Sequence, residues 1–373
     1  MIQNFGLLPG GEAAHLYSIC SGGITAGISD FGATLVRLLV PDRTGAASDV
    51  VLGFDTAGDY RKHGGCLGAV VGRNANRIGR SAFFLGGQEV SLTPNEGPNN
   101  LHSGPDYWFH RMWQVDRYTP GSITLSLETP DGDQGFPGGG RVAVTYTLQE
   151  NRLQIRYQGR FDRDTVFNMT HHAYFNLAGQ DRPEAAMSQT LQLRARQFTE
   201  VDHASIPTGR LLPVAGTPLD FRTPKALGLD SHHPLLAPQG GLDHNFVLDP
   251  GAGPAARLVC NETGRVLSVY TDRPGIQVYT ANSLCVRGKG GVAYGKRSGV
   301  CLETQFFPDA PNHPDWPSSL IRAGETAEST TEFVWETCRP QGLRYKIPRR
   351  VEEYEKSSMG GSAYEPLFSR LVF

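Results

Sequence analysis

Arg141-Val142-Ala143-Val144-Thr145-Tyr146-Thr147-Leu148-Gln149-Glu150-Asn151-Arg152-Leu153-Gln154-Ile155-Arg156-Tyr157-Gln158 contains two runs of alternation separated by a polar turn. Val142, Val144, Tyr146 and Leu148 alternate with Ala143, Thr145, Thr147 and Gln149, then Leu153, Ile155 and Tyr157 with Gln154, Arg156 and Gln158. Successive side chains of a strand point to opposite faces, so this period of two spells half-buried strands. Gln149-Glu150-Asn151-Arg152 reads as the hairpin turn between them. Just upstream, Ile123, Leu125 and Leu127 alternate with Thr124, Ser126 and Glu128. Downstream, a second hairpin is expected around Asn261-Glu262-Thr263-Gly264. With 45 Gly and 25 Pro the chain is punctuated too often for long helices, and short helical turns are expected near Ala57–His63. No strand–helix–strand rhythm is visible. The expectation is an all-β fold, a large antiparallel β-sandwich with few short helices.

Bulk properties narrow the function. A chain of 373 residues with 39% hydrophobic content suits two ordinary domains or one large all-β domain. Residues 1–338 show no repeat and no linker and are read as one domain. Residues 339–373, with basic, acidic and Gly-Ser stretches, are expected to form a peripheral or mobile C-terminal extension. The net charge of -2 and a pI near 6.6 argue against nucleic-acid and anionic-membrane partners. No apolar run reaches the ~20 residues of a membrane span. The start, Met1-Ile2-Gln3-Asn4-Phe5-Gly6, lacks a secretory pattern. Cys20, Cys66, Cys260, Cys285, Cys301 and Cys338 are widely spaced, which suits reduced thiols in a cytoplasmic protein.

Five polar clusters interrupt the apolar strands. The densest is Asn168-Met169-Thr170-His171-His172-Ala173-Tyr174-Phe175-Asn176-Leu177, where alternation puts His172, Tyr174 and Asn176 on one face and His171 on the other. The others are Gly72-Arg73-Asn74-Ala75-Asn76-Arg77-Ile78, Asn99-Asn100-Leu101-His102-Ser103-Gly104, Gly241-Leu242-Asp243-His244-Asn245 and Val300-Cys301-Leu302-Glu303-Thr304-Gln305. Each alone reads as ordinary structure: a bonded histidine, a surface guanidinium, a turn cap. Together they are costly unless they converge on a site, and their chemistry suits a polyhydroxylated ligand. No dinucleotide fingerprint or phosphate loop is present. His102, His171 and His172 are weighed as metal ligands and set aside, because adjacent strand residues point apart.

In order and spacing these motifs resemble the aldose 1-epimerase (galactose mutarotase) family. The resemblance rests on Asn76-Arg77-Ile78, Asn99-Asn100-Leu101-His102, His172-Ala173-Tyr174-Phe175-Asn176-Leu177, Leu242-Asp243-His244-Asn245-Phe246 and Leu302-Glu303-Thr304-Gln305. Asp30–Leu35 and Pro274–Asn282 also fit, so it extends over nearly all of residues 1–338. It implies a β-supersandwich and cofactor-free interconversion of the anomers of free hexoses, by a monomer or homodimer. Carried over by position, His172 is the expected proton donor and Glu303 the general base. Asn76, Arg77, His102, Tyr174, Asp243 and Gln277 are the expected sugar-binding set, with no metal. The chain departs from the family at His171, where Asn is usual, and at Ser103, where Gly is common. The first change is expected to alter packing only, the second to reshape the pocket slightly.

The resemblance implies an acid–base ring opening. A bell-shaped pH profile follows, with the carboxylate on the acidic limb and the imidazolium on the alkaline limb. Rival readings are a hexose-phosphate 1-epimerase using Arg73 and Arg77, a glycoside hydrolase using Asp243 and Glu303, and a non-catalytic sugar-binding protein.

Overall fold

The computed structural model describes residues 1–338; the expectation for residues 339–373 lies outside the described residues. The first hairpin forms as read. Strands Gly140–Gln149 and Arg152–Phe161 pair antiparallel, Val144 opposite Tyr157 and Tyr146 opposite Ile155. Val142, Val144, Tyr146, Leu153, Ile155 and Tyr157 are all buried, as the alternation requires. The second hairpin also forms, from Ala256–Val259 and Arg265–Thr271. Helix Ala57–Lys62 occupies the expected stretch, capped by Thr56, whose hydroxyl accepts the Asp59 N–H.

Both hairpins belong to one nine-stranded sheet, ordered Gln114–Thr119, Ser122–Thr129, Gly140–Gln149, Arg152–Phe161, Thr326–Thr337, Arg265–Thr271, Ala256–Val259, Thr190–Leu193 and Lys225–Ala226. A six-stranded sheet runs Tyr174–Phe175, Val300–Gln305, Gly275–Tyr279, Asp243–Leu248, Ala195–Val201 and Pro207–Pro213. The N-terminal strands from Ile2–Leu7 to Ala47–Asp49 make a five-stranded sheet. The ladders within the two larger sheets are antiparallel.

A single apolar cluster joins the three sheets, drawing Ile276, Val278, Val300 and Leu302 from the six-stranded one, Val144 and Ile155 from the nine-stranded one and Ile24 and Leu35 from the N-terminal one. The ring of Phe175 lies 5.1 Å from that of Phe333 across the gap. Thr304 and Thr331 hydroxyls hydrogen-bond across the same gap. This is a β-sandwich closed by burial of both inner faces. No helix among the described residues is long and apolar enough to cross a membrane.

The packing fixes where the polar groups go. Val300 and Leu302 enter the core and Thr304 bonds to the opposite sheet, so Cys301 and Glu303 must project from the other face of their strand.

Candidate active site

Strand register carries that face sideways. Glu303 lies opposite Gln277 and Gln277 opposite Asn245; in the adjacent row Cys301 faces Tyr279 and Tyr279 faces Asp243. Tyr174 extends this second row by pairing with Cys301. His172 belongs to the preceding strand, paired with Ala69, and its ring sits 5.0 Å from Tyr174 and 6.0 Å from Tyr279. The opposite wall comes from the short ladder in which Arg77 faces Leu101. Asn76 and His102 flank it with φ of 62° and 56°. Asn accepts that left-handed backbone more readily than most residues. The Asn76 N–H donates to His102 Nδ1 at 3.1 Å, so a neutral His102 carries its proton on Nε2.

A cavity of about 560 Å³ opens between these elements. His172, Glu303, Asn76, Arg77, His102, Tyr174 and Asp243 all line it. Gln277 stands just behind, donating Nε2–H to Asp243 Oδ1 at 2.6 Å. His172 Nε2 and Glu303 Oε1 are 3.6 Å apart, and both side chains are buried. Glu303 Oε2 and Gln277 Oε1 have no hydrogen-bond partner among the described residues. Such acceptors are expensive to bury unless a ligand meets them. Arg77 is held by Glu96 through two bonds of 2.7 and 2.8 Å. Tyr174 donates its hydroxyl to the Gly65 carbonyl at 2.7 Å, so its ring is a fixed wall.

Three residues near these motifs belong elsewhere. Asn176, read onto the same face as His172, lies past the end of its strand and bonds to Arg182 and Ala178. Arg73 is buried away from the cavity, donating to the Pro137 and Gly138 carbonyls and to Thr129 and Thr165, with its guanidinium 4.4 Å from the Phe161 ring. Ser103 bonds to both the N–H and the carbonyl of Asn74 and does not itself line the cavity. His171 does face away, its Nε2 3.1 Å from the Tyr146 hydroxyl in the core. The sequence reading missed Glu96, Cys66, Tyr279, Asn282, Ser283 and Lys296, which also line the cavity. Tyr279 was within reach of alternation, two residues beyond Gln277. Glu96 was hidden in what reads as a simple turn.

Burial governs the electrostatics. The Glu303 carboxyl is pushed well above the ordinary carboxylate range, first by desolvation and then by the charge of Asp243, with Arg77 opposing. Desolvation lowers His172 to about 4. Desolvation thus favours neutral His172 and protonated Glu303, the opposite of the ionised pair from which the expected acid–base scheme starts. The pair holds one proton from about pH 4 up to the raised value of Glu303, and within that window burial favours neutral His172 beside protonated Glu303.

Burial also lowers His102 well below the ordinary imidazole range; it takes His171 down to about 3 and His244 down to about 4. A histidine with a depressed folded value stabilises the fold above its unfolded value near 6.5, and that stability fades as pH falls toward the folded value. Each contributes a slope of up to about 1.4 kcal/mol per pH unit across its window. Glu303, Asp243 and Asp309, all raised, work in the opposite sense but are fewer than the five lowered histidines, His110 among them. Calorimetry should accordingly give a lower Tm at pH 5 than at pH 7, with protons taken up on unfolding. An unchanged or higher Tm at pH 5 would contradict the burial of these rings.

Comparison with known proteins adds a lineage. The aldose 1-epimerase family model matches residues 15–334. A galactose mutarotase of Sus scrofa is 42% identical over 338 residues, covering 89% of this chain and 97% of the relative. An aldose 1-epimerase of Escherichia coli (strain K12) is 35% identical over 340 residues, covering 88% and 96%. Among solved structures, an aldose epimerase homologue from C. elegans matches with a TM-score of 0.82 at 34% identity, covering 88% of this chain and all of that one. With a family match across most of the chain and relatives aligned over nearly their full lengths, the chain belongs to the aldose 1-epimerase family.

Proposed function

We propose that the protein is a cofactor-independent isomerase that interconverts the α and β anomers of free hexoses such as galactose and glucose. The observation that carries this reading is the placement of His172 Nε2 3.6 Å from Glu303 Oε1 in a cavity also lined by Arg77, His102 and Asp243. Glu303 takes the proton from the C1 hydroxyl while His172 gives one to the ring oxygen, and the C1–O5 bond opens to the aldehyde. Rotation about C1–C2 and the reverse transfers close the ring on the other face. Ring opening starts from ionised Glu303 and protonated His172 and ends with both neutral. The end state is the distribution that burial favours, so the electrostatics improve along the reaction rather than only on binding. His102 Nε2–H and Arg77 supply positive density for the developing charge, while Asp243 and Gln277 orient hydroxyls. The free thiols suit a reducing cytoplasmic setting, with the protein a monomer or homodimer.

Two rivals lose ground. A phosphate site would want Arg73, which is committed to backbone carbonyls elsewhere. A hydrolase with Asp243 and Glu303 as its pair leaves His172 without a role. Polarimetry of freshly dissolved α-galactose and α-glucose, corrected for the buffer rate, is the direct test, with glucose 6-phosphate and a chromogenic glycoside run beside them. Turnover of only the phosphate ester or the glycoside would overturn the reading.

The neighbours of Glu303 provide a sharper check. The charge of Asp243 holds the Glu303 value up, so Asp243→Asn should let it fall. The alkaline limb of kcat/KM, which follows loss of the proton shared by the pair, should move to lower pH. KM should rise about tenfold, since a lost buried hydrogen bond costs about 1–3 kcal/mol. An alkaline limb that stays in place would detach it from Glu303.

A further inference from the structure

His172, Cys301 and Glu303 form a cluster whose thiol the proposed ring opening does not use. Cys301 and Glu303 share a strand face at spacing two, and Cys301 Sγ lies 3.4 Å from His172 Nδ1. One ligand atom from each residue falls within 4.8 Å of the other two, and all three residues are buried. Glu303 Oε2 has no hydrogen-bond partner among the described residues. Zinc bonds to nitrogen, oxygen and sulfur measure about 2.0–2.3 Å, which sets tetrahedral ligand atoms about 3.3–3.8 Å apart. Cys301 meets Nδ1 whereas Glu303 meets Nε2, so sharing one ion requires one of these side chains to swing toward the other's nitrogen. Three protein ligands with a fourth position toward the cavity is the form of an open zinc site. His171 turns into the core toward Tyr146 and is no part of this cluster; the second and third ligands come from the strand Val300–Gln305.

We propose that His172 and Glu303 on the cavity wall, with Cys301 buried behind them, constitute a soft-divalent-metal site, and that zinc or cadmium bound there excludes the sugar and arrests turnover. Thiolate and imidazole select such ions over magnesium or calcium. Binding displaces the thiol proton and the proton shared by His172 and Glu303, and leaves His172 neutral. Two anionic ligands then balance the dication, so the buried site carries no net charge, which its desolvated position requires. Inhibition rests on the activity proposed above; metal binding does not.

The test uses the full chain, reduced and freed of metal, with the exposed Cys20 and Cys285 replaced by Ser. Cadmium titration is followed by thiolate-to-cadmium charge-transfer absorption in the near ultraviolet and, in parallel, by polarimetric rate. One equivalent should produce the absorption and stop turnover, galactose should compete, EDTA should restore the rate and magnesium should do nothing. Cys301→Ser should weaken cadmium at least tenfold and remove the absorption, whereas Cys66→Ser, at the thiol that lines the cavity, should retain both. X-ray absorption of the zinc-loaded protein should find one sulfur among nitrogen and oxygen ligands, and it needs no Cys301 variant to fold. A zinc shell without sulfur, or an absorption that survives Cys301→Ser, would overturn the site. Cadmium bound through Cys301 in an enzyme that still turns over would overturn the exclusion of sugar. Cadmium bound through Cys301 in a protein inactive on every aldose would sustain the site and sink the activity instead.

Discussion

Glu303→Gln is expected to remove turnover, lowering kcat by about 10²–10⁴, the usual weight of a positioned acid–base group. Glutamine keeps the size of the side chain and its hydrogen-bonding capacity but cannot take the C1 hydroxyl proton. It also resembles the protonated carboxyl that burial already favours at this position. The fold should therefore tolerate it well. A buried acid whose folded value is raised weakens the native state as pH climbs past its unfolded value, and glutamine has no such dependence. The Tm of the variant at pH 7 should equal or exceed that of the wild type, while calorimetric galactose binding persists. Polarimetry must subtract spontaneous mutarotation in buffer at each pH. Turnover near the wild-type rate would end the assignment of Glu303 as base, whatever the sugar.

The second large effect concerns adjacent histidines on opposite faces of one strand. His172→Asn should lower kcat by about 10² or more, since it removes the donor beside Glu303. His171→Asn should leave kcat close to wild type. It breaks the contact with Tyr146 in the core, so its cost should appear as about 1 kcal/mol of stability, the net worth of one buried hydrogen bond. Kinetics and thermal melts on the two variants should thus give opposite patterns. Equal kinetic damage from both would mean that the faces of the strand have been misassigned.

Local pattern revealed much of the site, and its failures share a cause. Alternation turned Glu303 away from the core and separated His171 from His172, because both stretches are paired strands where the period of two is enforced by the ladder. Asn176 escaped because the ladder stops at Phe175 and the chain turns, after which local carbonyls rather than the pleat decide its direction. Arg73 sits four residues before Arg77 with the same chemistry, yet its partners lie in the turn at Pro137–Gly138. Only the three-dimensional fold brings that turn near. The protonation order was illegible for a related reason. Sequence displays opposite charges, whereas the full desolvation that favours their neutral forms exists only once walls from five segments have closed.

The strand Thr326–Thr337 lies in the middle of the nine-stranded sheet, between Arg152–Phe161 and Arg265–Thr271. A chain emerging from the ribosome must therefore leave the two halves of this sheet unjoined until that strand is available. Two unpaired strand borders face solvent until then, the geometry that recruits stray strands from other molecules. Closure joins segments separated by more than 160 residues, a high contact order that slows folding. Joining the two halves of the sheet is consequently a late step of folding, and chains that lack this strand are the species most in need of chaperone shelter.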